Sequence, residues 1–327
     1  MSKKRILILS GVVVLILIVA GLYFFLFSDK NENNQQEPPK KYYSQLTGVE
    51  VPQETAERPI LGIMIENSEF ARPQTGLDSA GIVFEAVTEG GITRYLVLYQ
   101  EDMPEIVGPV RSVRSHFVDW LMGFDASIAH VGGSEEALNL IDQRQAKSLN
   151  QFRFSGPYFR DENREPPHNM YARTANLRKL QKDEKHVTAE FPDIPRSGDN
   201  PSQTPTATKI TIDFSGPAFK AEFRYDKAAN LYVRYLAGEP HIDTITDKPI
   251  TVKNVIVVKA QGLPNGVNAI GTGEALLFKD GNVQKIKWEK PDYKSRIKFK
   301  DSVGKEIQLN RGQTWVAAVA ADRPVTY

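Results

Sequence analysis

From Ile6 to Phe27 the chain runs 22 residues without a charged side chain. A helix needs about 20 such residues to cross the hydrocarbon layer of a membrane. In lipid only a helix or a closed barrel satisfies every backbone polar group. Lys3, Lys4 and Arg5 precede the run, and the positive-inside tendency holds such residues in the cytoplasm. The expectation is a cytoplasmic tail at 1–5, a transmembrane anchor at 6–27 and a single pass through the cell membrane, with everything after it extracytoplasmic. A cleaved signal peptide is the competing reading, but its apolar core spans about 7–15 residues and ends on small residues at the cut site. Val19-Ala20-Gly21 has the look of a bacterial lipobox, yet Leu22 stands where the lipidated cysteine belongs.

The chain has no cysteine at all, which excludes disulfides, thiol catalysis and cysteine-ligated metal. The exported part must hold itself together by burial, and about 270 residues suffice for two domains. With 41 basic against 40 acidic residues, it lacks the basic excess of a nucleic-acid binder. Ser28 to Lys41 contains no aliphatic or aromatic residue and reads as solvated; the whole spacer is set at 28–57. Residues 58–188 read as a mixed α/β domain. Phe191 to Thr206 holds four prolines within a linker at 189–206. Residues 207–327 read as a smaller β-rich domain of short strands, sandwich- or barrel-like. The fold class is thus α+β or α/β.

Within 58–188, Ile60 to Glu66 is a near-continuous apolar run, the pattern of a strand covered on both faces. Ile82–Glu89 and Ile92–Gln100 flank Gly90-Gly91, a two-residue hairpin signal. That register sets Val87 opposite Arg94 and Glu85 opposite Leu96, so that Glu85, Glu89 and Arg94 share one face. Residues four apart on one strand lie roughly 13 Å apart, too far for a glycosidase carboxylate pair at about 5–9.5 Å. The trio reads either as a solvated ion-pair cluster or as part of a cleft. Ser134 is placed to cap a helix starting near Glu135, after the Gly132-Gly133 turn.

Arg111 and Arg114 fall where a second helix begins, near Val113. Free N–H groups already make a helix start positive, so arginines there point to an anion, which guanidinium binds bidentately. The bland alternative pairs them with Glu85, Glu89 or Asp102. Pro166-Pro167-His168-Asn169 displays a histidine on a rigid loop. A lone histidine is usually structural, and becomes an acid–base candidate only if it faces the arginines. No His-Glu-x-x-His, Gly-x-Ser-x-Gly or metal-spaced cluster is present, so neither a metal nor a cofactor is expected.

Arg58 to Asn67, Ala71 to Leu77, Glu85 to Arg94, Gly108 to Arg114, Gly132 to Ser134 and Pro167 to Asn169 stand in an order that resembles the YerB-like family of exported bacterial lipoproteins. Tyr232-Val233-Arg234, Asn254 to Val257 and Gly312 to Trp315 extend the resemblance through the second part. It implies an N-terminal α/β-type domain followed by a smaller β-rich one, and it implies no reaction. The missing cysteine departs from the family's lipoprotein label.

These observations lead to an extracytoplasmic binding protein. Arg72, Glu85, Glu89, Arg94, Arg111 and Arg114 are expected to line a polar cleft, with Asn67, Gln74 and His168 at its margin. An anionic or zwitterionic envelope component, such as a cell-wall glycan or peptide, suits those charges; nucleic acid does not. The alternatives are an envelope hydrolase or transferase using Glu85 or Glu89 with His168, and a scaffold that meets a membrane-protein partner through an apolar patch at Trp288 or Trp315.

Overall fold

The structure, a computed structural model, describes residues 3–28, 40–101 and 103–327; spacer residues 29–39 and Asp102 lie outside them. The chain divides into two compact units, residues 1–40 and 41–327. The first contains helix α1 (Lys3–Ser28), 26 residues long. Among the residues whose side chains are described, 17 of them consecutive in α1, no stretch is long and apolar enough to cross a membrane; the uncharged sequence begins earlier, at Ile6.

The second unit is built on one ten-stranded sheet. In chain order its strands are β1 (Leu61–Glu66), β2 (Ile82–Val87), β3 (Thr93–Tyr99), β4 (Ser127–His130) and β5 (Ser148–Asn150). After an intervening smaller sheet, with β6 (Lys209–Asp213), β7 (Lys220–Asp226) and β8 (Leu231–Leu236), the large sheet resumes. Its later strands are β9 (Asn254–Ala260), β10 (Gly271–Lys279), β11 (Asn282–Lys290), β12 (Lys298–Lys300) and β13 (Thr314–Ala320). The spatial order is β12-β11-β10-β9-β13-β2-β3-β1-β4-β5. The expected strand at Ile60–Glu66 is β1, buried along its whole length.

β13 lies parallel to both β9 and β2. It joins the two parts of the chain in one hydrogen-bonded ladder, with Trp315 opposite Val83 and Ala317 opposite Glu85. The later strands therefore form no separate sandwich or barrel: β9 to β13 extend the sheet begun by the first part. The smaller sheet, in which β6, β7 and β8 are neighbours, packs on one face of the large one. Ile210, Phe223 and Tyr232 meet Val83, Tyr95, Val97 and Trp315 there. Helices α2 (Ser115–Met122) and α3 (Glu135–Arg144) cover the opposite face, where Phe117 and Trp120 pack with Phe84, Leu96 and Val316. Helix α4 (Thr174–Asp183) sends Leu177 into the first face.

The proline-rich stretch expected as a linker is packed. Phe191 and Ile194 rest on the core, Arg196–Ser197 pairs in parallel with Leu309–Asn310, and the Arg196 guanidinium binds the carbonyls of Leu46 and Asn310. The later part of the expected spacer is folded too, because Leu46 is fully buried and Tyr42–Tyr43 pairs with Glu50–Val51. Low local hydrophobicity marks both segments in the sequence, but a few side chains and backbone bonds suffice to fix them.

A shared sheet predicts shared unfolding. In hydrogen exchange followed by mass spectrometry of the full chain in micelles, the amides of β2 and β9 should lose protection at one denaturant midpoint. Two separate midpoints would show that the halves fold independently.

Candidate functional site

Strands β1, β2, β4, β9 and β13 run in one direction, so their carboxyl ends share one edge of the sheet. Ligands of open α/β sheets tend to sit at that edge. Glu66 closes β1, His130 closes β4, and Glu89 lies in the connection after β2. The segment from Gly108 to Arg114 runs along this edge. Arg111 N–H donates to the Met64 carbonyl at 2.9 Å, the Arg111 carbonyl accepts from Val131 N–H at 3.2 Å, and Val113 N–H donates to the Gly132 carbonyl at 3.0 Å. Helix α2 then starts at Ser115, with Arg114 as its N-cap residue. As expected, Ser134 caps α3, its hydroxyl accepting from Ala137 N–H.

The hairpin register differs from expectation by one residue. Val87 pairs with Thr93, Ala86 with Arg94 and Glu85 with Tyr95. The connection holds three residues, Glu89–Gly91, closed by a 2.7 Å bond from Thr88 N–H to the Ile92 carbonyl. Gly90 and Gly91 both take positive φ within it, but as parts of a longer turn. A one-residue slip moves every side chain to the other face. Glu85 and Arg94 therefore point to opposite faces, and the expected trio does not exist.

Glu85 faces the smaller sheet and is wholly buried. Its Oε2 accepts from Arg234 Nη2 at 2.7 Å and Trp315 Nε1 at 3.0 Å, and its Oε1 accepts from the Thr93 hydroxyl at 2.9 Å. The network continues through Asn67, which donates to Thr93 at 2.6 Å, and Gln74, which donates to Asn67 at 3.0 Å. His241 links Gln74 and Arg234, at 2.7 and 2.9 Å. Burial and then the neighbouring Arg234 hold the His241 imidazole well below its ordinary range, so it is neutral. Arg72, half-buried, donates to Asn67 and to the Ala218 carbonyl. Asn67, Arg72, Gln74 and Glu85 thus belong to a buried brace between the sheets and not to an open cleft. Arg234, fully buried, is its centre, and sequence reasoning assigned it no role; an arginine inside an alternating strand was the available signal.

The other five expected residues do gather on the opposite face. Glu89 receives Arg114 Nε at 2.5 Å. Burial, the largest single influence, would raise the Glu89 carboxyl, but the hydrogen bond from Arg114, a backbone hydrogen bond and the charges of Arg114 and Arg94 together hold its pKa below the usual range. Arg111 Nε lies 3.2 Å from Glu66 Oε2, and His168 Nδ1 lies 2.8 Å from Glu66 Oε1. The Ser68 hydroxyl donates to Glu66 Oε1 at 2.8 Å and stands 3.1 Å from His168 Nδ1. Both partners meet the same imidazole nitrogen, so His168 is not set between Ser68 and Glu66 as a relay base would be. Glu66 and Ser68 were missed in the sequence, although Glu66 ends the most apolar strand of the first part.

Arg94 lies at the floor of this cluster, in register with Glu66. It is 7% exposed. Its Nη1 donates to the Ser112 carbonyl at 2.5 Å, while its buried Nε has no hydrogen-bond partner. Burial first, and then repulsion from Arg114, bring its pKa down to about 9. Arg94, Arg111 and Arg114 face Glu66 and Glu89, which leaves one positive charge in excess. Among the described residues no three imidazole or carboxylate groups gather as a metal set. A 480 Å³ hollow beside α3 and β5, with Asp142, Arg153, Glu184 and His186 in its lining, includes none of the nine expected residues. Trp288 and Trp315, expected to mark an apolar patch if the chain is a scaffold, are both buried.

Residues 46–188 match the model of the N-terminal domain, and residues 210–316 that of the C-terminal domain, of the protein family of unknown function DUF3048. The chain belongs to this family. It is 33% identical over 284 residues to the protein named "Putative lipoprotein YerB" of Bacillus subtilis (strain 168), covering 84% of this chain and 85% of that one. The crystal structure of the YerB protein from Bacillus subtilis superposes with a TM-score of 0.79 at 30% identity, covering 88% of this chain and 100% of that one. The resemblance drawn from the sequence segments is therefore shown, as is the sheet-rich mixed α/β fold.

His130 closes the edge of the site as a structural group. Its Nδ1–H donates to the Gly132 carbonyl at 2.7 Å and its Nε2 accepts from the Ser148 hydroxyl at 2.8 Å. Burial lowers its pKa from 6.5 to about 4. In the unfolded chain the imidazole takes up a proton near its ordinary value, so between these pH values the unfolded state binds more protons. Stability should accordingly fall as pH drops through that window, by at most about 1.4 kcal/mol per pH unit per histidine. His130→Asn should flatten the pH dependence of the unfolding free energy over the same window. An unchanged slope would mean that His130 is not held neutral.

Proposed function

We propose that the chain is a membrane-anchored extracytoplasmic protein that binds an anionic or zwitterionic envelope component at the Arg94–Arg111–Arg114 cluster. The observation that carries this reading is Arg94, a buried guanidinium with an unpartnered Nε, in a cluster of three guanidiniums against two carboxylates. A buried charge left unmatched costs several kcal/mol by order of magnitude. An arriving carboxylate or phosphate relieves that cost with charge-assisted bonds. The first turn of α2, which follows Arg114 and has no side-chain cap, adds free N–H groups at the same edge.

A hydrolase or transferase has less support. Glu85 is sealed on the other face, Glu89 is held by Arg114, and His168 pairs with Glu66. For the anchor, the support is the uncharged run from Ile6 inside α1, with the lipoprotein name of the Bacillus relative as a parallel. With no cysteine to carry lipid, the helix itself would hold the protein at the membrane.

Full-length protein in polyoxyethylene-ether micelles should be stabilised by inorganic phosphate or acetate, by about 2.7 kcal/mol at a hundred times the dissociation constant. Arg94→Met should abolish that response while leaving intrinsic stability unchanged or raised by about 1 kcal/mol or more. An anion-independent melting temperature, or an undiminished response in the variant, would sink the reading. The anchor is checked separately. The protein should stay with membranes through alkaline carbonate washing with residues 1–27 intact by mass spectrometry, and a mature chain beginning near Leu22 would overturn it.

A further inference from the structure

We infer that the ligand of this cluster is an acidic sugar, a carboxylate- or phosphate-bearing glycan held between two phenylalanines. The inference rests on the anion-binding reading above and goes further by naming the ligand class. Phe70 is 78% exposed and Phe152 is 77% exposed, among the most exposed large apolar side chains of residues 41–327. Both border the arginine-bearing segment. Phe70 stands on the turn Glu69–Ala71, its ring 5.5 Å from that of His168, which in turn binds Glu66. Phe152 covers the other side, where a Cβ on Gly132 would come within 3.0 Å of its ring. Gly132 is the residue whose carbonyl receives Val113 N–H, one residue before Arg114.

An exposed phenylalanine gains little from water. Beside a charged cluster it offers a flat apolar face to something that also presents polar groups. A pyranose ring fits both demands, because its C–H face packs against an aromatic ring while its hydroxyls need donors and acceptors together. The cluster supplies both. The guanidiniums of Arg94 and Arg111 donate, and Glu66 Oε2, ion-paired with Arg111 but without a hydrogen bond, accepts. The acidic group of the sugar answers the excess positive charge.

An extended acidic peptide suits the site less well. Strand addition needs unpaired backbone at the edge, and here the segment is already paired on both sides. Ile65 bridges Val110, Val113 bridges Gly133, and Ser134 N–H donates back to the Val113 carbonyl. What remains open is side-chain surface.

Calorimetric titration of the full-length protein in polyoxyethylene-ether micelles, which carry no sugar, tests this. The probes are a hyaluronan tetrasaccharide, the neutral sugar tetra-N-acetylchitotetraose, tetraglutamate and inorganic phosphate. The acidic tetrasaccharide should bind at least about tenfold tighter than each of the other three. Phe70→Ala and Phe152→Ala should each weaken it by about tenfold while leaving phosphate affinity unchanged. Phe70 and Phe152 are solvent-exposed, so the variants keep the fold. Tetraglutamate binding as tightly as the sugar, or a sugar-to-phosphate ratio unmoved by Phe70→Ala, would overturn the sugar assignment and leave the anion site standing. If neither phosphate nor the acidic tetrasaccharide binds, both readings fall.

Discussion

Strand β13 lies between β9 and β2, bonded in parallel to each, and the rest of the structure depends on that placement. Parallel strands survive only when both faces are covered, so this one strand requires helices on one side and the smaller sheet on the other. The coverage is pinned by Glu85. From β2 it reaches Trp315 on β13 and Arg234 on β8, three strands from distant parts of the chain. Its carboxylate accepts three donors, and the Arg234 guanidinium lies 4.4 Å from the Trp315 ring centroid. A buried ion pair gains little net stability over apolar packing. This one nonetheless disfavours any sheet-to-sheet arrangement that leaves either charge alone.

Much of the local structure was legible in the sequence. The run Ile60–Glu66 is strand β1, the Ser134 cap starts α3, and the strand-rich texture beyond residue 207 is present. These signals are local, set by side-chain periodicity and by the first turn of a helix. Insertion of β13 beside β2 is a pairing more than 200 residues apart, and no local pattern reports it. The proline-rich stretch looked like a linker for the same reason. Part of its hold on the fold is one arginine reaching the carbonyls of Leu46 and Asn310, a contact that hydrophobicity does not register.

The hairpin shows how a small local error changes the functional reading. Gly90-Gly91 can form a two-residue turn or belong to a three-residue one, and composition does not choose between them. The longer turn places Glu85 against the smaller sheet and Arg94 against the helical side. Polar residues that looked like one cluster therefore separate into two with different physics. Asn67, Gln74 and Glu85 join a network in which nearly every group is bonded. Glu89, Arg94, Arg111, Arg114 and His168 join Glu66 and Ser68 at the sheet edge, partly open to water.

The contrast between Arg234 and Arg94 supports the proposal that the second cluster takes a ligand. Both guanidiniums are more than nine-tenths buried. Arg234 has a carboxylate of its own, and Glu85 holds its pKa above the ordinary value despite full burial. Arg94 has a backbone carbonyl and two cationic neighbours, and its pKa falls to about 9. The nearest carboxylates, Glu66 and Glu89, are already engaged by Arg111, His168 and Arg114. A charge so placed stabilises neither packing nor register, since an apolar side chain would fill the position with less penalty. What an apolar side chain lacks is affinity for an incoming anion. On the proposed reading the cost of burying Arg94 is recovered in the bound state, as a binding group requires, while its bond to the Ser112 carbonyl holds the arginine-bearing segment in place.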